Sequence, residues 1–121
     1  MSKTLTSPAL NDGEIYIGAI VSADSSISHH IILLPGEAPE VDFAAAKTWA
    51  ASVGGELPSR IEQSMLYALA RGQFKRDWYW SGEQHAADSA YAWCQHFDYG
   101  NQDDDDTDDE LRARAVRRVA I

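Results

Sequence analysis

Trp78-Tyr79-Trp80-Ser81 and, further on, Tyr91-Ala92-Trp93-Cys94-Gln95-His96-Phe97-Asp98-Tyr99-Gly100 decide the fold of this chain. Both stretches are rich in the aromatic residues that favour strands. The second has a period of two. Tyr91, Trp93, Gln95, Phe97 and Tyr99 fall on one face, and Ala92, Cys94, His96 and Asp98 on the other, so the small-residue face is free to press on a helix or another strand. Strands are therefore expected over 78–81 and 91–99. Seven of the twelve aromatics lie between Trp78 and Tyr99, which places both the expected core and the expected working surface in this half. Trp80, Trp93 and Phe97 are expected to fill the core. Tyr79, Tyr91 and Tyr99 carry hydroxyls that favour the surface.

Beyond Gly100 the aromatics give way to Asp103-Asp104-Asp105-Asp106-Thr107-Asp108-Asp109-Glu110. This run supplies seven acidic groups, and outside it twelve acids face ten bases, so most of the net charge of −9 is concentrated in one place. A chain so biased is a poor candidate for phosphate backbones, whose binding needs clustered Lys and Arg. Arg112, Arg114, Arg117 and Arg118 do cluster, but directly after the acidic run they are expected to compensate charge internally. Nucleic acid is not an expected partner.

Upstream, residues 1–12 read as a polar leader ending in the turn signal Asn11-Asp12-Gly13. Residues 13–121 read as a single domain, long enough for one hydrophobic core. Residues 14–21 and 29–34 are β-branched-rich runs around Ser22-Ala23-Asp24-Ser25-Ser26, which predicts an antiparallel hairpin. Pro35-Gly36 ends the second run, and residues 36–40 read as a loop. Asp42 is an N-cap for a helix in which Phe43, Ala46, Ala50 and Val53 recur at helical spacing, stopped by Gly54-Gly55. Ser59 with Glu62 three residues on is a capping box opening a second helix, whose expected apolar stripe is Ile61, Met65, Leu66 and Leu69. Residues 112–121 read as one terminal strand. Strands, two helices, then strands make an α+β pattern.

With these elements placed, the second half resembles the bacterial and phage Lcl C-terminal-domain-like family, a domain-of-unknown-function family. The residues that carry the resemblance are Trp49, Gly55-Glu56-Leu57-Pro58-Ser59-Arg60-Ile61-Glu62, Tyr79-Trp80-Ser81, Ala92-Trp93, Phe97-Asp98-Tyr99-Gly100 and Arg114-Ala115-Val116-Arg117-Arg118-Val119, spanning residues 41–121. The resemblance implies a C-type-lectin-like fold: an N-terminal β-hairpin, two helices, a small antiparallel sheet with long loops and a C-terminal strand brought close to the N-terminal ones. It also implies a ligand-binding role without an agreed activity. The distantly similar formylglycine-generating enzymes use paired cysteines. This chain has only Cys94, so that chemistry does not carry over. Gly82 stands where the family often has a second serine.

Catalytic residues are not expected. Cys94 reads as a small buried hydrophobe, and its neighbour His96 meets it only loosely at strand spacing. Ser81, Glu83 and His85 lie close in sequence but lack the glycine-framed elbow of a hydrolase nucleophile. Neither His29-His30 nor His85 with His96 has the helical spacing of a zinc pair. The Asp run lacks the glycine-punctuated pattern of a calcium loop and is expected to be a solvated loop, so neither a metal nor a cofactor is expected. Leu57-Pro58-Ser59-Arg60-x-Glu62 reads as a structural cap, with Arg60 reaching a carboxylate or carbonyl near the helix start.

The expected function is a non-enzymatic module, of phage, prophage or bacterial origin, that binds a protein or small ligand. Its expected contacts are Tyr91, Tyr99, Asn101, Gln102, Asp103, Asp104, Asp105 and Asp106, where rigid aromatics and adaptable polar groups mix. The alternative is an acidic inhibitor that imitates a nucleic acid and occupies a basic groove on a host protein. No apolar run approaches the ~20 residues of a membrane helix, and no secretory leader is recognisable. The expectation is a cytoplasmic protein, or a virion-associated one, with no membrane partner.

Overall fold

The computed structural model describes residues 6–121 and has the α+β order expected; residues 1–5 of the predicted leader lie outside the described residues. Strands β1 (Ile15–Val21) and β2 (Ser28–Leu33) form the predicted antiparallel hairpin, and β8 (Val116–Ala120) pairs antiparallel with β2. The second sheet runs β3 (Ala38–Val41), β7 (Leu111–Ala113), β4 (Trp78–Gln84), β5 (Tyr91–His96), β6 (Gln102–Asp106). It is mixed rather than purely antiparallel, since β4 and β7 pair in parallel at Tyr79 and Arg112.

Helices α1 (Phe43–Ser52) and α2 (Arg60–Ala70) start as the sequence predicts. The Asp42 carboxylate accepts from the Ala45 N–H, and Ser59 and Glu62 complete the capping box reciprocally. The two helices bury against opposite faces of β4–β5. On one face Trp80, Ala92 and Cys94 pack with Phe43, Ala46 and Ala50 of α1. On the other, Tyr79 and Phe97 pack with Leu66 of α2, Phe74, and Ile17, Ile31, Leu33 and Val116 of the three-stranded sheet. The small-residue face of β5 thus lies on a helix, as its alternation suggests.

Several expectations are corrected. Residues 103–106 are not a loop: they form the outermost strand of the second sheet, with Asp103–Asp106 opposite Cys94–Tyr91. Residues 112–121 do not make one strand. The chain passes from one sheet to the other at Arg114-Ala115, where the Arg114 guanidinium donates to the Gln73 and Leu34 carbonyls and holds the crossing. Residues 38–41 form β3, hidden in the sequence by Pro39 and by the brevity of an edge strand. β5 ends at His96, and Phe97 to Asn101 form the turn into β6. That turn needs Gly100, at φ +80°, where a Cβ would stand 2.6 Å from the Tyr67 ring.

The inward face of α2 also departs from its predicted stripe. Ile61 is 57% and Leu69 64% exposed, whereas Glu62, Gln63 and Leu66 are buried. The reason is polar. Glu62 receives two bonds from Arg118 of β8, at 2.8 and 2.7 Å, and lies 2.8 Å from His29 of β2. Gln63 donates to the Tyr79 carbonyl and accepts, at its own carbonyl, from Gln95. These bonds rotate α2 so that its polar N-terminal turn faces inward. Val53, counted with the α1 stripe, is exposed past the helix end.

Candidate binding face

β5 and β6 set up the candidate site. Cross-strand partners share a face, so Tyr91 with Asp106 and Trp93 with Asp104 project to one side, beyond the N-terminal end of α2. Asp103 and Asp105 project to the other, beside Cys94 and Ala92. The eight predicted contact residues therefore do not converge. Tyr91 (40% exposed) lies at one end of the β5–β6 ladder, and Tyr99 (78% exposed) and Asn101 lie at the other, five residue rises or about 17 Å away. Gln102 turns inward: its amide donates to Gln95 Oε1 and to the Arg60 carbonyl at 2.8 Å each.

Residues not assigned to the site complete it. Trp93, expected in the core, is only half-buried. The Arg60 guanidinium lies 3.5 Å from its ring centre, and the His85 ring stacks on it at 5.3 Å and 18°. His85 also lies 3.5 Å from the Asp104 carboxylate. The β4 bulge between Trp80 and Gln84 carries Glu83 to the start of α2, where it accepts from the Arg60 N–H at 2.7 Å. This close approach depends on Gly82, whose N–H donates to the Pro58 carbonyl and whose missing Cβ would stand 3.1 Å from the Leu57 carbonyl oxygen. Arg60 thus meets an aromatic face and the Gln102 side-chain oxygen rather than a carboxylate. The alternation of β5 already contained this arrangement: once Ala92 and Cys94 face α1, Trp93 must stand on the other side. Tyr79, by contrast, is buried, with its hydroxyl donating to Glu37 and accepting from the Lys75 N–H.

The charges sort in an unexpected way. Internal charge compensation holds for three of the four arginines, but not by the acidic run, and Arg114 donates to carbonyls instead. Arg112 pairs with Glu37 and Asp77, Arg117 with Glu14, and Arg118 with Glu62 and Glu56. Among the described residues the only ion pair to the 103–110 run is His85 with Asp104. The run is consequently an unbalanced negative edge. Asp105, half-buried, has its carboxyl raised to about 6 by burial, by the shared hydrogen bond with Asp109 and by the charges of Asp109 and Asp106.

The groups that resemble catalytic machinery point apart. Burial, with the charges of Asp105, Asp103 and Asp104, pushes the Cys94 thiol up to about 12, and its Sγ donates to the Asp103 carbonyl. The His96 ring turns to Trp78 and to the Asp98 N–H. Ser81 is buried and donates to the Trp93 carbonyl at 2.7 Å, Glu83 caps α2, and His85 stacks on Trp93. Among the described residues no group of three or more His, Cys, Asp or Glu side chains converges in a metal-holding geometry, and no helix is long and apolar enough to cross a membrane. Compared with known proteins, the chain matches no family model and no curated protein sequence.

Proposed function

We propose that this chain is a non-catalytic binding module that takes a protein partner on the outer β5–β6 face, with Tyr91 and Trp93 as its anchors, Asp104 and Asp106 on its rim and Tyr99 and Asn101 at its far end. The observation that carries this is the placement of an exposed tyrosine and a half-buried tryptophan on the same face as two carboxylates, at the edge of a sheet. Aromatic residues fixed by the scaffold and rimmed by polar groups have the character of interface anchors. A C-type-lectin-like architecture is part of the proposal. It is supported by the pairing of β8 with the first hairpin, which brings the last strand beside the first two, and by two helices followed by a second sheet. Phage, prophage or bacterial origin, and with it residence in the cytoplasm or the virion, rests on the sequence resemblance alone.

The unbalanced acidic edge favours a second reading, an acidic inhibitor that fills a basic groove on another protein. Salt separates the two. A partner held by Asp103 to Asp106 dissociates steeply as ionic strength rises and is lost when the four are replaced by Asn. One anchored by Tyr91 and Trp93 tolerates both changes and is lost with Tyr91→Ala. Affinity capture from host extract at low and high salt, with both variants in parallel, makes the distinction. Equal capture by all three proteins would sink both readings.

A further inference from the structure

Arg60 is restrained from several directions, and among the described residues nothing takes its outer Nη donors. Its N–H donates to Glu83 at 2.7 Å, its carbonyl accepts from Gln102 Nε2 at 2.8 Å and Ser64 Oγ at 3.3 Å, and its Nε donates to Gln102 Oε1 at 2.9 Å. Its guanidinium rests on Trp93. Among the described residues no carboxylate pairs with that guanidinium, although the chain carries a net charge of −9 and Arg112, Arg117 and Arg118 each hold an acid. A long flexible side chain ordinarily loses rotamer freedom when it binds. Here folding has already fixed it, with the fork of Nη donors still available.

A concavity of about 350 Å³ opens beside this side chain, lined by Arg60, Ile61, Ser64, Glu83 and Gln102. Ile61, 57% exposed, forms an apolar wall. Two of the N–H groups at the start of α2 are already engaged, Glu62 N–H by Ser59 and Arg60 N–H by Glu83. Among the residues that line the concavity, Arg60 is the one that carries positive charge.

We infer that this concavity is a carboxylate-binding site, in which the two Nη groups of Arg60 grip both oxygens of a carboxylate presented by a protein partner and Ile61 packs against the carbon chain behind it. The planar fork matches a planar carboxylate bidentately. Glu83, which lines the concavity, opposes added negative charge and disfavours a dianion such as phosphate more than a single carboxylate. A chain terminus and an Asp or Glu side chain offer the same chemistry. The inference rests on the binding-module reading for the partner being a protein, and it assigns Arg60 a contact that the predicted set of residues omits.

The test is an NMR titration of the ¹⁵N-labelled full chain, following the Arg60 Nε–H and Trp93 indole signals at constant ionic strength, into roughly tens of millimolar ligand. N-acetylglycinate stands for a chain end, N-acetylaspartate N-methylamide for a side chain, and inorganic phosphate is the third arm. The expected result is a saturable shift of both signals with at least one carboxylate, the tighter one naming the source. Arg60→Lys, which keeps the charge and removes the fork, should weaken binding, read at the Trp93 indole alone, by about tenfold, with signals distant from Arg60 and Trp93 unchanged. No saturable shift with either carboxylate, equal binding by Arg60→Lys, or tighter binding of phosphate overturns the site. If partner capture depends on Tyr91 while neither carboxylate binds, the site falls and the module reading stands.

Discussion

The Arg60 guanidinium lies 3.5 Å from the centre of the Trp93 ring, joining the first residue of α2 to the exposed side of β5. The contact spans the junction where the helix ends and the open face begins. With the stacked His85 ring, it restricts the rotamers open to Trp93. A double-mutant cycle with Arg60→Ala and Trp93→Ala should give a coupling of about 1 kcal/mol in urea unfolding, the magnitude of a partly desolvated cation–π pair. Additive effects would show that the two merely lie close together.

Glu62 governs the acid limb of stability. Burial alone would raise its carboxyl, but the bonds from Arg118 and the Ser59 N–H, the Arg118 charge and the His29 contact bring it from 4.5 down to about 2. The folded state therefore binds this proton less readily than the unfolded state, so the stabilisation is complete above pH 4.5 and is lost as pH falls towards 2. Glu62→Gln should cost on the order of 3 kcal/mol at pH 7, because it leaves Arg118 without its buried partner. It should also flatten the acid limb of a melting-temperature profile. An unchanged limb would place the acid sensitivity elsewhere.

Asp105 works with the opposite sign. Its carboxyl is raised from 3.8 to about 6 by burial, the bond shared with Asp109 and neighbouring negative charge, so the folded state holds the proton more tightly than the unfolded chain. Ionising it on the way from pH 3.8 to 6 removes stability, and the deficit persists above pH 6. Asp105→Asn should accordingly raise the melting temperature at pH 7.5, with the gain disappearing below pH 4. A gain that persists in acid would point to packing rather than charge.

On α2, Leu66 and Leu69 are one helical turn apart in the expected stripe, but only Leu66 is buried. Leu66→Ala should cost about 3 kcal/mol by emptying a place in the core beside Tyr79 and Phe97. Leu69→Ala should stay within about 0.5 kcal/mol. Equal losses in chemical denaturation would contradict the rotation of the helix that the Glu62 and Gln63 bonds impose.

What was legible in the sequence was local chemistry. Asp42, Ser59 and Glu62 act within a few residues of their own backbone, and the hairpin and the alternation of β5 follow from short-range pattern. What was not legible depended on distant partners. Glu62 reads as a surface cap until Arg118 of β8 and His29 of β2 arrive to bury it, and on that account Ile61 and Leu69 of the expected stripe face out while Leu66 and Met65 pack inward. Asp103 to Asp106 have poor strand propensity and read as a loop; pairing with β5 overrides this, and an edge position suits their charge. The candidate site was half visible. Tyr91 and Tyr99 are exposed as expected, but in the sequence Arg60 reads as part of a cap and Trp93 as core, since their contact joins residues far apart in the chain.

The central claim is that the outer β5–β6 face binds a partner. Its most direct measurement is quantitative affinity capture from host extract with the intact chain, Tyr91→Ala, and Leu69→Ala as a surface control away from the face. The account predicts a protein retained equally by the intact chain and Leu69→Ala and lost with Tyr91→Ala, all three remaining folded by circular dichroism. A specifically captured protein that Tyr91→Ala retains as well as the intact chain does would contradict it.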